Sequence, residues 1–146
     1  MSWGICLWEP KFEENWGTVV RSAFNFKVDY LVTVGSRYKR TPSDTVNGTK
    51  HIPVFHYQDM KEFLKYAAGS GLVVVERDGN ISLPTYQHPS SALYVFGGED
   101  RSVPRELPGV RVVIPTFHCL NLAVAASIVM YDRMVKGCGR ITTTGG

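Results

Sequence analysis

The sequence lacks any run of about 18 apolar residues, so it predicts no helix that spans a membrane. Its first segment, MSWGICLWEPKFEE, has no basic region and turns acidic early, which is unlike a secretory signal peptide. Cysteine is scarce: the chain has Cys6, Cys119 and Cys138, whose spacing suits no metal site. We therefore expect a protein of the reducing cytoplasm, without a membrane anchor or a disulfide framework.

The motifs of several common enzyme classes are also absent. Neither GxxxxGKS/T nor GxGxxG occurs, so the usual glycine-rich loops that bind nucleotide phosphates are missing. No GxSxG stretch indicates a hydrolase with a nucleophile elbow. The four histidines follow no metal-ligand spacing, and neither HExxH nor paired CxxC occurs, so we expect no metal site.

What is present describes one folded unit. The chain has 146 residues, of which 44% are apolar, so we expect a single domain over residues 1–146 with a substantial core. Its formal net charge of +3 at pH 7 is compatible with a polyanionic partner. Cations concentrate in SRYKR, residues 36–40, which is either a solvated surface or a phosphate-contacting loop with an aromatic for stacking.

Hydrophobic patterning predicts alternating strands and helices. Strands are expected at short apolar runs, in residues 2–8, 30–34, 52–55, 72–75, 92–96 and 111–114. Helices are expected where apolar residues recur at helical spacing, in residues 15–26, 57–68 and 120–137. Residues 36–50 and 76–90 are polar or rich in proline and glycine, which is typical of loops. This order favours an α/β fold with an open, mostly parallel sheet and helices on both faces.

Two segments are expected at the carboxyl ends of strands, where parallel sheets bind ligands. The first is VFGGED, residues 95–100, whose glycines either form a simple turn or let a ligand approach the backbone. The second is IPTFHCLN, residues 114–121, in which Asn121 can cap the following helix. A third segment, NWGTVVR, opens the first helix, where Asn15 alone suits a cap and Arg21 a cation on the helix face.

Together and in this order, the three segments resemble the motifs of the SPOUT superfamily of RNA methyltransferases, in particular its SpoU/TrmH branch. The resemblance rests on NWGTVVR, VFGGEDRSVP and VVIPTFHCLNLAVAASIVMYD and extends over nearly the whole chain. It implies methylation of a ribose 2′-hydroxyl in tRNA or rRNA, with S-adenosylmethionine as the cofactor, and a deep trefoil knot at roughly residues 92–140. It also implies a homodimer whose active site is completed across the interface, with the first and last helices packed there. The apolar stripe of the last helix and Trp16 fit that interface, and an intramolecular core explains them equally well.

The resemblance assigns site residues by matching positions. The cofactor would be bound largely by backbone groups at Val75, Gly97, Gly98, Ile114, Cys119, Leu120 and Asn121. The catalytic residues would be Arg21, Asn15, Asn121 and Glu99. RNA contacts would be Arg21, Arg37, Lys39, Arg40 and Arg101. The resemblance gives Arg21 the task of activating the ribose hydroxyl, but a guanidinium holds its proton strongly. Arg21 would therefore act either as the base or as a phosphate clamp.

The chain departs from the family pattern in three places. Cys119 stands where Ser is usual, Ser102 where Gly is usual, and Glu76 with Arg77 where small polar residues are commoner. These departures keep open a second interpretation, a catalytically weak or inactive knotted module that binds RNA. A third is an unrelated α/β nucleotide-binding domain. The small size of the chain favours tRNA over rRNA as the substrate.

Overall fold

The computed structural model describes residues 2–38, 51–67 and 71–138. Within these ranges, the strands are β1 (Trp3–Trp8), β2 (Tyr30–Val34), β3 (Val54–Tyr57), β4 (Leu72–Val75), β5 (Ile81–Ser82), β6 (Ala92–Gly97) and β7 (Val110–Val113). The helices are α1 (Glu13–Asn25), α2 (Met60–Ala67) and α3 (Leu122–Val135), and a short 3-10 helix spans Leu83–Thr85.

The strands form one sheet in the order β3-β2-β1-β6-β4-β7-β5. Each neighbouring pair is parallel. In the centre, β1 pairs with β6 along its whole length, from Trp3 opposite Ala92 to Trp8 opposite Gly97. The predicted α/β fold with an open parallel sheet is confirmed. Because the strands are parallel, their carboxyl ends share one edge of the sheet.

The helices cover both faces of the sheet, as predicted. On one face, Val20 of α1 and Met130 of α3 belong to the same core cluster as Ile5 of β1. On the other face, Phe63 of α2 belongs to a second cluster with Cys6 of β1. Since side chains alternate along a strand, successive residues of β1 serve the two cores in turn.

The first helix begins earlier than the sequence pattern predicts. It starts at Glu13, and the preceding Phe12 is an N-cap residue without a side-chain capping bond. Asn15 therefore lies within the first turn, and its interpretation as the helix cap is wrong. Instead, the Glu99 carboxylate accepts hydrogen bonds from the amides of Lys11 and Phe12. A remote anion thus stabilises the amino end of α1.

The elements β3 and α2 both begin later than predicted. Pro53 precedes β3 because it has no amide N–H for the ladder, although its carbonyl accepts a 2.9 Å hydrogen bond from Leu31. Asp59 caps α2, accepting a 2.9 Å hydrogen bond from the amide of Glu62. The predicted end of this helix, residues 68–70, lies outside the described residues.

The connection from β4 to β6, residues 76–91, is more ordered than the predicted loop. It contains β5, which pairs with one side of β7, whereas β4 pairs with the other side. The connection therefore passes β7 before it returns to β6. The two ladder pairs of β5 are too few to leave a periodic signal in the sequence. The trefoil knot stays a prediction, and residues 139–140 at its expected end lie outside the described part.

All three cysteines of the chain lie within the described residues. Cys6, Cys119 and Cys138 are free thiols, and burial raises the pKa of Cys6. In the ranges that the structure describes, no helix combines the length and apolarity needed to cross a membrane. The same ranges contain no group of three or more His, Cys, Asp or Glu residues placed to hold a metal ion.

Candidate functional site

A cleft of about 420 Å³ opens at the carboxyl edge of the sheet, between the loops that follow β4, β6 and β7. Its volume lies within the ~300–1,000 Å³ usual for small-molecule sites. Most of the predicted cofactor contacts lie on its walls, namely Val75, Gly97, Gly98, Ile114, Cys119 and Leu120. The structure thus brings three distant segments into one concave site, and their contact with a cofactor stays a prediction.

The walls of the cleft combine apolar and charged side chains. The apolar ones include Val75, Phe96, Ile114, Leu122 and Ala125. The charged ones include Glu76, Arg77, Asp78, Asp100, Arg101 and Arg105. Apolar surface suits a flat heterocycle, whereas convergent charges suit the ionic groups of a small ligand.

The two glycines at the end of β6, Gly97 and Gly98, are explained by the chain's own packing. A Cβ atom on Gly97 would lie 2.3 Å from the carbonyl oxygen of Arg101. A Cβ atom on Gly98 would lie 2.4 Å from the carbonyl oxygen of Glu9 and 2.8 Å from that of Trp8. Neither glycine has a positive φ. The missing side chains therefore allow close passage of neighbouring backbone, which is a different reason from the ligand approach that the sequence suggested.

Glu99 joins the loop after β6 to the first helix. Its carboxylate accepts hydrogen bonds from the amides of Lys11 (3.0 Å) and Phe12 (2.7 Å) and from the Asn15 side chain (3.2 Å). Burial alone raises the pKa of Glu99, but these hydrogen bonds outweigh it, so the pKa lies below its usual value. Glu99 is therefore an anion at neutral pH and acts as a fixed acceptor.

The predicted catalytic residues Asn15 and Asn121 continue this chain of hydrogen bonds. The Asn121 side-chain amide donates a hydrogen bond to Oδ1 of the Asn15 side chain at 3.0 Å. Its own oxygen accepts from the amides of Ala123 (2.9 Å) and Val124 (3.1 Å), so the predicted cap of α3 is confirmed. Asn121 lies beside the cleft rather than on its walls. Glu99, Asn15 and Asn121 thus connect all three sequence motifs.

Arg21, the fourth predicted catalytic residue, takes no part in these hydrogen bonds. It is exposed on α1 and does not line the cleft. Within the described residues, its guanidinium has no hydrogen bond or ion pair; its backbone carbonyl accepts from Asn25. One turn earlier, Thr18 lines a shallow apolar groove between α1 and α3. Arg21 therefore stands beside that groove and away from the cleft of its own chain.

The groove lies between α1 and α3 and is lined by apolar and small residues, namely Thr18, Phe26, Ala123, Val124, Ser127, Ile128 and Tyr131. Phe26 directly follows α1, and Ala123 is buried. Val124 is 48% exposed and Tyr131 is 55% exposed. The opposite side of α3, with Ala126 and Met130, is fully buried. The last helix therefore has an apolar surface in the core and a second one facing outward.

Two of the predicted RNA contacts have partners within the protein. Arg37 donates to Asp100 at 2.5 Å and to the Glu9 carbonyl at 2.9 Å. The hydrogen bond from Arg37 lowers the pKa of Asp100 to about 2. Arg101 lies 3.3 Å from the Glu9 carboxylate in an exposed pair. The other predicted contacts on this loop, residues 39 and 40, lie outside the described residues.

Sequence reasoning missed the contact between two departures from the family pattern. The Arg77 guanidinium donates to Cys119 Sγ at 3.3 Å and to the Phe117 carbonyl at 3.4 Å. It thereby connects the loop after β4 to the loop after β7. Neighbouring Glu76 lies 2.5 Å from Arg111 in a half-buried ion pair. The unusual residues at 76 and 77 were the available signal, although nothing in the sequence identified their partners.

The model of the SpoU rRNA Methylase family matches residues 3–131. No curated protein sequence matches the chain.

Solved structures share the fold at low sequence identity. A structure concerned with 2-OH methylation of C/U34 on tRNA has a TM-score of 0.79 at 20% identity, covering 92% of this chain and 95% of that one. An AdoMet-bound rRNA methyltransferase from Sinorhizobium meliloti has a TM-score of 0.78 at 23% identity. The match covers 92% of this chain and 56% of that one. The AdoMet complex of the SpoU methyltransferase AviRb from Streptomyces viridochromogenes has a TM-score of 0.80 at 21% identity. The match covers 92% of this chain and 61% of that one. The chain thus spans little more than half the length of the last two proteins.

Proposed function

We propose, since the chain belongs to the SpoU rRNA Methylase family, that it transfers a methyl group from S-adenosylmethionine to a ribose 2′-hydroxyl of RNA. The observation that carries this proposal is the cleft at the carboxyl edge, on which residues of the second and third motifs meet. Support comes from the two AdoMet-bound relatives and from the relative described for 2-OH methylation of tRNA. The relative described for tRNA methylation matches this chain over 95% of its own length, which favours tRNA as the substrate.

The cleft suits S-adenosylmethionine in size and in chemistry. Phe96, Ile114 and Leu122 offer apolar surface for an adenine ring, while Asp78 and Arg77 offer charges for an ammonium and a carboxylate. When bound, the cofactor supplies an electrophilic methyl group on a sulfonium. The chain's task is then to position the hydroxyl and to help remove its proton.

The hydrogen-bonded chain of Glu99, Asn15 and Asn121 positions the loops around this cleft. Because Glu99 stays ionised, it fixes the start of α1, and Asn15 relays that constraint to Asn121 at the start of α3. Arg21 would then act on the ribose hydroxyl or the neighbouring phosphate. A phosphate clamp agrees better than a free base with the strong basicity of a guanidinium.

A homodimer accounts for the position of Arg21. The apolar groove on α1 and α3 is the kind of exposed surface that a second copy covers. Arg21 stands beside that groove, so pairing through it would direct the guanidinium toward the partner rather than toward its own cleft. We further propose that the dimer works in the cytoplasm without a metal ion, in keeping with the three free thiols.

Calorimetric titration with S-adenosylmethionine tests the cofactor site. Gly98 is a poor test position, because any side chain there meets backbone at 2.4 Å. Cys119→Trp fills the cleft from an exposed position, and Cys119→Ser is its matched control. We expect one saturable site per chain in wild type and Cys119→Ser, and none in Cys119→Trp. Equal binding by both variants would contradict the assignment of the cleft, and a folded wild type without affinity would favour a non-catalytic RNA-binding module.

A further inference from the structure

Phe117 is exposed to an unusual degree. Its side chain is 89% accessible, which is the largest value among the bulky apolar side chains of the described residues. The next is Tyr66 at 63%. Scattered exposed apolar residues are common, but a phenylalanine ring that stands almost entirely in water at the mouth of a site invites a functional explanation.

The loop around Phe117 is fixed by hydrogen bonds. Arg77 donates to the Phe117 carbonyl at 3.4 Å and to Cys119 Sγ at 3.3 Å. The Thr116 hydroxyl donates to the His118 carbonyl at 2.8 Å. The rings of Phe117 and His118 meet edge to face, with centroids 4.5 Å apart. These contacts hold the backbone of the loop, while Phe117 itself stays 89% exposed.

The ring stands at the edge of the cleft and among cations. Thr116 and Cys119, on either side of Phe117 in the loop, both line the cleft. Arg77, Arg101 and Arg105 also line it, and the Arg105 side chain is 85% exposed. An exposed aromatic ring next to a cleft whose walls carry guanidinium groups is a combination that binds unpaired nucleotides, since bases stack on rings and phosphates attract cations.

We propose that Phe117 is a stacking platform for an unstacked base of the RNA, next to the nucleotide whose ribose enters the cleft. The proposal rests on the proposed methyl transfer to RNA. A nucleotide whose ribose lies between the walls of the cleft has left its stack and lost contact with its neighbours. Phe117 replaces part of that lost stacking.

The surroundings favour RNA over a second protein chain as the partner of this ring. The apolar groove on α1 and α3 is a separate surface and does not include Phe117. Its neighbours in the loop, Thr116 and His118, are exposed and polar. A protein interface centred on Phe117 would need further apolar surface around the ring, whereas a base needs only its face.

The test compares Phe117→Ala with Phe117→Tyr, which keeps an aromatic face. Tyr66→Ala is the matched control, because it removes an exposed aromatic ring from α2 that lies off the cleft. The probes are a single-stranded RNA carrying 2-aminopurine, whose fluorescence falls on stacking, and total tRNA in a methyl-transfer assay. We expect Phe117→Ala to weaken RNA binding by about 5- to 150-fold, the range for loss of one base–aromatic stack. It should raise KM for tRNA more than it lowers kcat and leave S-adenosylmethionine affinity unchanged, while Phe117→Tyr and Tyr66→Ala behave as wild type.

Distinct outcomes separate this proposal from the proposed function. If wild type transfers methyl groups and Phe117→Ala keeps the same RNA affinity and fluorescence change, the platform is wrong and the methyltransferase stands. If Phe117→Ala converts a dimer to a monomer, the ring belongs to an interface between copies and the platform is overturned. If wild type binds neither S-adenosylmethionine nor RNA, both proposals fail together.

Discussion

The two ends of α3 are attached to the rest of the molecule by very different polar networks. At the amino end, Asn121 connects to Asn15 and Glu99 through single, partly exposed hydrogen bonds. Toward the carboxyl end, fully buried Arg133 donates to the Tyr94 hydroxyl (2.9 Å) and to the carbonyls of Pro89 (2.7 Å) and Ser90 (2.8 Å).

The buried network also includes an imidazole. His88 lies 2.7 Å from the Tyr94 hydroxyl and 2.6 Å from Asp132, and Asp132 lies 2.8 Å from Lys136. The Arg133 guanidinium stands 4.9 Å from the centre of the Trp3 ring. Burial raises the pKa of Tyr94 to about 12, so its hydroxyl stays protonated. The difference predicts that the buried end contributes more to the stability of the fold than the exposed end.

The largest expected effect is on the buried network. Arg133→Met leaves the Tyr94 hydroxyl and the carbonyls of residues 89 and 90 without their donor. We expect the free energy of unfolding to fall by about 3–5 kcal/mol, measured by urea titration. Arg133→Lys keeps the charge but loses the planar fork, and should lie between Arg133→Met and wild type. A fall in the free energy of unfolding no larger than that caused by replacing a surface arginine would contradict the difference between the two ends of α3.

The next effect is a dependence of stability on pH. Burial lowers the pKa of His88 below its ordinary value of 6.5, despite the opposing hydrogen bond that its ring donates to the Asp132 carboxylate. The unfolded chain therefore binds the proton more readily, and the free energy of unfolding falls as pH drops below 6.5. The slope for this one proton is at most about 1.4 kcal/mol per pH unit. His88→Gln should flatten this region of a urea-unfolding series, and an unchanged slope would show that His88 is not its source.

A smaller effect on stability is expected at the exposed end. Asn121→Ala removes the cap of α3 and should cost about 1 kcal/mol. Asn121→Asp keeps a capping oxygen but cannot donate to Asn15, so it separates the cap from the link to the site. We expect Asn121→Asp to retain most of the stability and to lose methyl transfer as severely as Asn121→Ala. Full activity in Asn121→Asp would mean that the link to Asn15 has no role.

The smallest effect is expected at the exposed pairs on the rim of the cleft. Arg105 lies 2.6 Å from Asp78, but its side chain is 85% exposed. Arg105→Ala should change the free energy of unfolding by less than about 1 kcal/mol. The same variant should weaken RNA binding at low salt if the rim faces phosphates. A large loss of stability would place this pair with the buried network instead.

The contrast also explains how much the sequence could predict. Apolar runs and periodicity predicted the three α-helices and six of the seven described strands, but not β5. The predicted residues on the cleft walls were assigned by the family resemblance. The burial of Arg133 was not predicted, because a cation in a helix is typical of a solvated surface, whereas the structure buries Arg133 completely. Its partners in residues 89–94 are distant in sequence, so no local pattern relates them.

The same limit applies at the site itself. Asn15 was predicted to cap the first helix because its residue type and position suit a cap. The structure instead places the Glu99 carboxylate, from the end of another strand, on the amides of Lys11 and Phe12 just before the helix. The contact of Arg77 with Cys119 joins loops that follow different strands. Local signals indicated which segments matter, and the order of strands in the sheet decided which side chains meet.

The most direct test of the account is transfer of a labelled methyl group from S-adenosylmethionine to total tRNA. The purified wild type, Arg21→Ala and Cys119→Trp are compared, and the product is digested with alkali, which spares linkages next to 2′-O-methylribose. The account predicts incorporation by wild type into alkali-resistant dinucleotides, and none by either variant. Incorporation into a base, or activity that persists in Cys119→Trp, would contradict the proposed ribose methyltransferase and its cleft.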